Sequence, residues 1–587
     1  NRPASGSLKA NVLDIVPLAS IADHLPIEPA QRARLLALAP KGKLTGVALT
    51  WEGAWPAPEK YQAQARFEQL AINRTEEFAG LSGITGRIEA TEKGGTMQLD
   101  AAATKLDLPQ VFKSVLVFDT LKGEARWKRT QPGFELKLAN VRYANADLAG
   151  ELQGSYKHVP GQPGIADFSG ALTRADARQA VRYLPLPAAR NARPWLEGAF
   201  LAGSSDDVKF RVKGDLRHFP FEAERDGIFT ISAKVKGAVL RYGAQWPNIE
   251  RIDGDLLFRG RRMEINASQG FSMGARLSGV RAEIADLAQQ RLLTVAGDAE
   301  GQTTDFLKFI SASPVSGFID RVTEGMQAEG TGRLRLRLDI PLLSLERTRV
   351  AGGYQFLSNK LQIDPAVPVL EQVTGRLDFS ETGFNVPSAT AVFLGGPLTV
   401  AGSTQRDGSI RLNLTGRLNP ETLLRAGGPR WLAYARGSTD WQGTITVRKK
   451  TVDAVVESNL QGLAMNLPAP LSKTAAESLP LRVERRFVTQ DKDQYAVSLG
   501  DLLSARFERH VEANRWLIDR GTVRLGGGAA PEPPRAGVMV SGALRSLDAD
   551  AWMKFLGQPD TSAGATPAGA DVSYTLAGLD VKVGDLK

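Results

Sequence analysis

Residues able to do chemistry are few and scattered along the 587-residue chain. Its four histidines, His24, His158, His218 and His510, lie far apart, and neither HExxH nor any paired-ligand spacing joins them. They read as surface or loop residues. One string, Gly270-Phe271-Ser272-Met273-Gly274, fits the esterase pattern G-x-S-x-G. That pattern needs a strand, a sharp turn and a helix, with an acid and then a histidine downstream. Here the following ARLSGVRAEI alternates like a strand and His510 is the sole later histidine, so the string reads as a turn. Asp206-Asp207 falls in a turn-like GSSDD segment, where solvent exposure is the default. No Walker loop, no strand-to-helix G-x-G-x-x-G and no Gly-Gly-x-Gly-x-Asp calcium repeat occurs. The sequence offers no catalytic residue, no metal site and no cofactor motif.

What the sequence does offer is strands. The stretch 373–419 reads as four of them, parted by Gly383, by Gly395-Gly396-Pro397 and by an Asp407-Gly408 hairpin turn. Ile410, Leu412 and Leu414 point one way, Arg411 and Asn413 the other. The opening phrase Val373-Thr374-Gly375-Arg376-Leu377 recurs at Ile84-Thr85-Gly86-Arg87-Ile88, Leu121-Lys122-Gly123-Glu124-Ala125 and Ile252-Asp253-Gly254-Asp255-Leu256. The spacings are irregular, which makes a degenerate array and not a strict solenoid. Strand patterning continues elsewhere and is sharpest at 333–340, where Leu334, Leu336, Leu338 and Ile340 alternate with Arg333, Arg335, Arg337 and Asp339. Helical pattern is limited to short pieces at 29–38, 176–184, 305–311, 318–326, 420–426 and 549–556. The segment 526–534 reads as a loop and 557–569 as a flexible small-residue linker.

Composition agrees. The 59 glycines and only 7% aromatic residues suit an all-β chain, and a repeat array can run this long without internal boundaries. The formal charge of +9 comes from interspersed charges, 73 basic and 64 acidic, which is a solvated face and not a nucleic-acid footprint. The absence of cysteine excludes disulfides and thiolate sites and permits an oxidising compartment. No apolar run approaches the roughly 20 residues of a membrane helix. Both ends read as cuts in a longer protein.

A physical problem follows. Many strands carry one apolar face, and exposing that face costs about 25 cal/mol per Å², yet the helices are too few to cover it. The cover must be a second sheet, the same sheet curled over itself, or an apolar ligand.

Several phrases resemble the AsmA-like bacterial envelope proteins, most closely their YhdP branch. They are Tyr183-Leu184-Pro185 followed by Trp195-Leu196; Phe219-Pro220-Phe221 with Gly227-Ile228-Phe229 and Trp246-Pro247; and Ser313-Pro314-Val315 leading to Ile340-Pro341-Leu342. Leu394-Gly395-Gly396-Pro397-Leu398 and 467–473 (LPAPLSK) complete the set. The resemblance implies an elongated, repetitive, mostly antiparallel sheet curled into a U-shaped hydrophobic groove. It implies bridge-like phospholipid transport between inner and outer membranes through the periplasm of a Gram-negative bacterium, supporting outer-membrane lipid homeostasis and the permeability barrier. An inner-membrane anchor and an outer-membrane end would lie outside this chain.

On that reading acyl chains lie against the inward apolar set Leu136, Leu138, Phe210, Val212, Ile231, Val235, Leu334, Leu336, Leu338, Leu412, Leu414, Ile445 and Val447. Partners would be phospholipid and membrane components at the two ends, with the conduit a monomer, no nucleic acid and no cofactor. About 40 strands at ~4.8 Å spacing would give a groove on the order of 190 Å. The expected division is an N-terminal groove segment over 1–303, a helical connector over 304–345 and an AsmA-like segment over 346–587. The competing expectations are a closed structural β-array, an outer-membrane protein assembly factor that binds strands at a sheet edge, and, more remotely, a glycan enzyme.

Overall fold

The structure, a computed structural model, describes residues 5–20, 29–54, 58–75, 79–186, 192–222, 225–289, 291–364, 367–426, 428, 430–448, 451–489, 491–512, 515–556 and 576–586. The 557–569 segment lies outside them. The described residues form 31 strands, fewer than the sequence phrases suggested, and 29 of these belong to one sheet that is not closed into a barrel. Phrases split by internal glycines run on as single long strands; 200–215, which holds Gly203 and Gly214, is one strand of 16 residues.

The residues fall into two compact units. The first comprises 1–298, 312–314 and 337–348. It contains β1 (Ser5–Asp14), β2 (Lys41–Glu52), β3 (Lys60–Ile72), β4 (Gly80–Thr91), β5 (Gly94–Asp107), β6 (Leu116–Arg129), β7 (Phe134–Ala144), β8 (Leu148–His158) and β9 (Ile165–Asp176). It continues with β10 (Phe200–Asp215), β11 (Gly227–Leu240), β12 (Ile249–Arg259), β13 (Arg262–Ser272) and β14 (Ala275–Ile284). Each of these strands pairs antiparallel with the next. Helices α1 (Ile15–Ser20), α2 (Pro29–Leu38) and α3 (Arg193–Ala199) sit in connections. Residues 177–183, expected to be α-helical, form a 3-10 helix whose first turn is capped by Asp176, which accepts from the Arg178 N–H at 2.9 Å.

β15 (Leu292–Gln302) and β16 (Gln327–Pro341) have residues in both units. The second unit continues with α4 (Thr303–Ser311), α5 (Val315–Phe318), β17 (Arg349–Gln362), β18 (Leu370–Ser380), β19 (Gly383–Phe393), β20 (Gly396–Thr404) and β21 (Ile410–Leu418). Then come α6 (Pro420–Arg425), β22 (Ala435–Gly437), β23 (Thr439–Arg448), β24 (Thr451–Ser458), β25 (Leu463–Met465), β26 (Leu481–Thr489), β27 (Lys492–Leu499), β28 (Leu503–Glu512) and β29 (Arg515–Leu525). β30 (Gly537–Leu547), α7 (Ala549–Leu556) and β31 (Leu576–Leu586) close the chain's described part. From β17 to β29 the main-sheet strands pair antiparallel in chain order, with β22 and β25 set aside as a small sheet of their own.

The helix expected over 318–326 is not formed. α5 ends at Phe318, and Asp320 and Arg321 then take left-handed φ values of 51° and 56°, which an α-helix cannot continue through. Phe318 and Val322 are 80% and 60% exposed, so no packed face stabilises a helix there. A second departure is the parallel pairing of β30 with β29 and of β31 with β30. The return loop 526–536 lies on the charged face of the sheet. It is held by Ser504 Oγ donating to the Gly528 carbonyl at 2.8 Å and by Arg506 pairing with Glu532 at 3.1 Å.

The recurring phrase has a structural meaning. In three of its four copies the second residue reaches back to the preceding strand, where its side-chain oxygen accepts the N–H of a left-handed bulge residue. Thr85 accepts from Gln69 (3.2 Å), Asp253 from Gly237 (2.7 Å) and Thr374 from Ser358 (3.3 Å), each across 16 residues. The bulge residues have φ values of 52°, 59° and 58°. Bulges bend a strand and raise its twist, so each clamp fixes a bend between two neighbouring strands. The glycine that follows, Gly86 or Gly254, is needed for close approach: a Cβ on Gly86 would fall on the Gln98 carbonyl oxygen and the Phe67 ring. The fourth copy has Lys122 in the clamp position, and an ammonium cannot accept.

Candidate functional site

Within each unit, register puts the apolar residues on one face of the sheet. In the first unit Leu136 lies opposite Trp127 and Tyr156, and Leu138 opposite Ala125 and Gly154. Phe210 faces Gly170 and Ile231, Val212 faces Phe168 and Phe229, and Val235 faces Gly254. In the second unit Leu412 lies between Gly402 and Ile445, Leu414 between Val400 and Gly443, and Val447 between Ile410 and Val452. On β16, Leu334, Leu336 and Leu338 are half-buried while Arg333, Arg335 and Arg337 are exposed. Phe210–Ile231 and Leu412–Ile445 are thus direct cross-strand neighbours.

All thirteen of these side chains are half-buried; not one is in the closed core and not one is fully exposed. The closed core sits beside them on the same face: Phe67, Ile84, Leu121 and Val141 in the first unit, and Leu361, Val373, Ala391, Leu398 and Trp441 in the second. Trp441 and Phe67 escaped the sequence reading because their strands carry the apolar run only briefly. Within this face polar groups are kept neutral or tied. Burial pushes the Tyr143 hydroxyl up to about 12, and Asn359, fully buried, donates to Thr303 Oγ1 at 2.7 Å and to the Glu329 carbonyl at 3.2 Å. The opposite face carries ion pairs such as Lys209–Asp207 (3.1 Å) and Arg417–Asp440 (2.7 Å).

The would-be chemical residues are placed elsewhere. Ser272 ends β13, Met273-Gly274 turn the chain and Ala275 begins β14, so the esterase-like string is a hairpin; Ser272 Oγ donates to the Asn248 carbonyl at 3.0 Å. Asp206 and Asp207 lie within β10 and not in a turn. Bulges between Ala202 and Asp207 give the segment its irregular look, and Asp206 takes the Lys236 ammonium at 2.7 Å. His158 stacks on Phe134 at 5.1 Å, His218 lies in a 3-10 turn, and His510 Nδ1 is 3.0 Å from Asp519. His24 lies outside the described residues.

Sequence reasoning missed one group on the apolar face. Across β26, β27, β28 and β29 the rows run Leu481–Leu499–Leu503–Leu525, then Val483–Val497–Ala505–Val523, then Arg485–Tyr495–Phe507–Gly521, then Phe487–Asp493–Arg509. The carboxylate of Asp493 is fully buried and accepts from Arg485 Nε at 2.9 Å and from Arg509 Nε and Nη2 at 2.9 and 2.8 Å. The Arg509 guanidinium lies 4.2 Å over the Tyr495 ring. The only sequence signal was the failed apolar alternation at Arg485 and Arg509; the register that joins them is a tertiary fact.

An open, bulged, mostly antiparallel sheet with a half-covered apolar face, and among the described residues no catalytic constellation on it, defines a β-sheet scaffold of the groove-forming kind. The sequence profile of the YhdP protein family matches residues 1–587, and the chain belongs to that family. It is similar to the Escherichia coli (strain K12) protein named intermembrane phospholipid transporter YhdP, with 23% identity over 459 residues. The similarity covers 76% of this chain and 35% of that relative, so the chain spans about a third of the relative's length. No solved structure matches.

Proposed function

We propose that this chain is a length of a bridge-like conduit along which phospholipids move between the inner and outer membranes of a Gram-negative envelope. The observation that carries the reading is the half-burial of all thirteen apolar-face residues, Leu136 to Val447. A dry sandwich core would bury such leucines and valines fully, and a free surface would not align them. Acyl chains covering the face would gain about 0.8 kcal/mol per shielded methylene. Along a continuous apolar face they would slide.

In this reading no bond is made or broken. The chain works in the periplasm as a single copy, its headgroups at the open edge, and membrane components engage the ends of the whole protein. The segments 1–303, 304–345 and 346–587 would be successive lengths of the same path.

The test is site-specific photocrosslinking in cells whose phospholipids are radiolabelled, with the photoreactive residue at Leu336 and, as the outward control, at Arg335. Lipid label at Leu336 and none at Arg335 is expected. Equal or absent label at both positions refutes the conduit and leaves a closed structural array; crosslinks to unfolded outer-membrane protein would point to assembly work instead.

A further inference from the structure

The first unit differs at its two edges. The α-helices among its described residues all lie in connections at one of them: α1 and α2 between the end of β1 and the start of β2, and α3 between β9 and β10. Antiparallel register brings those strand ends to the same edge as the end of β5, the start of β6, the end of β7 and the start of β8. This helix-bearing edge is closed. Leu116, Phe118 and Leu148 are 5%, 7% and 6% exposed there and pack against Phe112 and Tyr183; Leu106 and Tyr143 join them to the closed core. The cover is laced down. Tyr183 Oη donates to Asp147 at 2.9 Å, and the Leu186 N–H donates to the Val111 carbonyl at 2.8 Å. Arg193, buried, donates to the carbonyls of Val181 and Leu184 at 2.9 and 2.8 Å.

The opposite edge carries short hairpin turns such as 92–93, 130–133 and 260–261, and the apolar face changes as it nears them. Across β6, β7 and β8 the rows run Ala125–Leu138–Gly154, then Trp127–Leu136–Tyr156, then Arg129–Phe134–His158. Purely apolar groups give way to aromatic rings with a polar atom, which suit a boundary between dry and wet. Last come a cation, a phenyl ring 40% exposed and an imidazole stacked on it at 5.1 Å. Leu138 to Phe134 spans about 13 Å along the strand, close to the roughly 15 Å of half a bilayer's hydrocarbon. The second unit repeats the asymmetry within itself. Leu398 and Trp441, 3% and 9% exposed, stand near the starts of β20 and β23, at the edge where α6 connects β21 to β23. Leu412 and Val447 are half-buried towards the other ends of their strands.

We propose that in the first unit each phospholipid lies along the strands, its phosphodiester at the hairpin edge, level with Phe134 and His158, and its acyl chains reaching past Leu138 towards the closed core. The path is then open to water along the hairpin edge and sealed along the helix-bearing edge. The inference rests on the conduit reading and adds to it which edge is the mouth. A charged headgroup taken out of water is costly; the hairpin edge leaves it wet while the chains are shielded, and the laced edge does not.

The experiment uses the full chain with the photoreactive residue at Phe134, at Leu138, at Phe112 on the helix-bearing edge, or at Leu336. The cells' phospholipids carry one radiolabel in the phosphate and another in the acyl chains. After crosslinking, mild alkaline hydrolysis cleaves the acyl esters. An adduct made through the headgroup then keeps the phosphate label, and one made through a chain keeps the acyl label. Phe134 should keep phosphate label and lose acyl label, Leu138 should do the reverse, and Phe112 should keep no phosphate label. Phosphate label at Phe112 equal to that at Phe134 overturns the one-sided mouth and leaves the conduit standing. The same mixture of labels at Phe134 and Leu138, or the reversed pattern, overturns the orientation and also leaves the conduit standing. Label at Leu336 with none at Phe134 and Leu138 overturns the proposal for this unit. No label at any of the four positions overturns the conduit and the orientation together.

Discussion

Replacing Asp253 by alanine should loosen one bend of the sheet without unfolding the unit. Asp253 Oδ1 accepts the Gly237 N–H at 2.7 Å and Oδ2 accepts from Gln269 at 2.6 Å. The first bond is exposed and the second half-buried, so water takes back part of each; together they are worth about 2 kcal/mol. That corresponds to roughly 30-fold faster opening of the β11–β12 pair. Amide hydrogen exchange over residues 230–240 reads this directly and is local, which matters in a chain of two units. Asp253→Asn keeps an acceptor and should recover most of the protection. Thr374→Val, which loses a longer bond of 3.3 Å, should speed exchange around Ser358 about threefold. The contrast is Lys122, at the same phrase position but holding only a surface ion pair to Asp100 at 2.9 Å; Lys122→Ala should change exchange in β5 and β6 less than about twofold. If Asp253→Ala and Lys122→Ala behave alike, the clamp is not what holds the bend.

Two further outcomes are expected. Lys473, buried, donates its ammonium to the carbonyls of Leu460, Leu463 and Thr474 at 2.8, 2.6 and 3.0 Å; Lys473→Met removes this donor from all three and should cost about 2–4 kcal/mol, read as a lowered urea midpoint. The hydrogen bond from Arg217 holds the half-buried Asp215 carboxyl down to about 2. Because the folded-state value is depressed, its stabilisation is present above the unfolded value of about 3.9 and is lost as pH falls towards 2. Asp215→Asn should therefore melt slightly below the parent at pH 6, with the gap closing between about pH 4 and pH 2.

How much of this was legible in the sequence depended on whether a feature was local. The four strands of 373–419 fell where alternation and turn residues put them, because period and punctuation are read within one strand and its hairpin. The phrase around Gly86, Gly254 and Gly375 was visible as a repeat, yet its role was not: the partner of Thr85, Asp253 or Thr374 lies 16 residues upstream at a residue of no fixed type (Gln69, Gly237, Ser358). The failed helix at 318–326 had helical composition and lacked only a surface to dock on. Asp493 with its two arginines was invisible for the opposite reason, since three strands must be in register before the group exists. The parallel step at β29–β30 depends on a long loop crossing the sheet, which pattern alone does not direct.

The clamps also set how such a molecule can fail and how it can change. Each ties only two adjacent strands, so a broken one slackens a single joint, and its neighbours keep their own bends. Change is granular for the same reason. The chain reverses with every antiparallel strand, so removal of one strand would leave the next running the wrong way. Removal or insertion of a complete hairpin keeps direction, facing and the 16-residue clamp spacing of all the others. The natural increment of length in this architecture is two strands, and a variant trimmed by one such pair should be shorter by about 10 Å and otherwise intact.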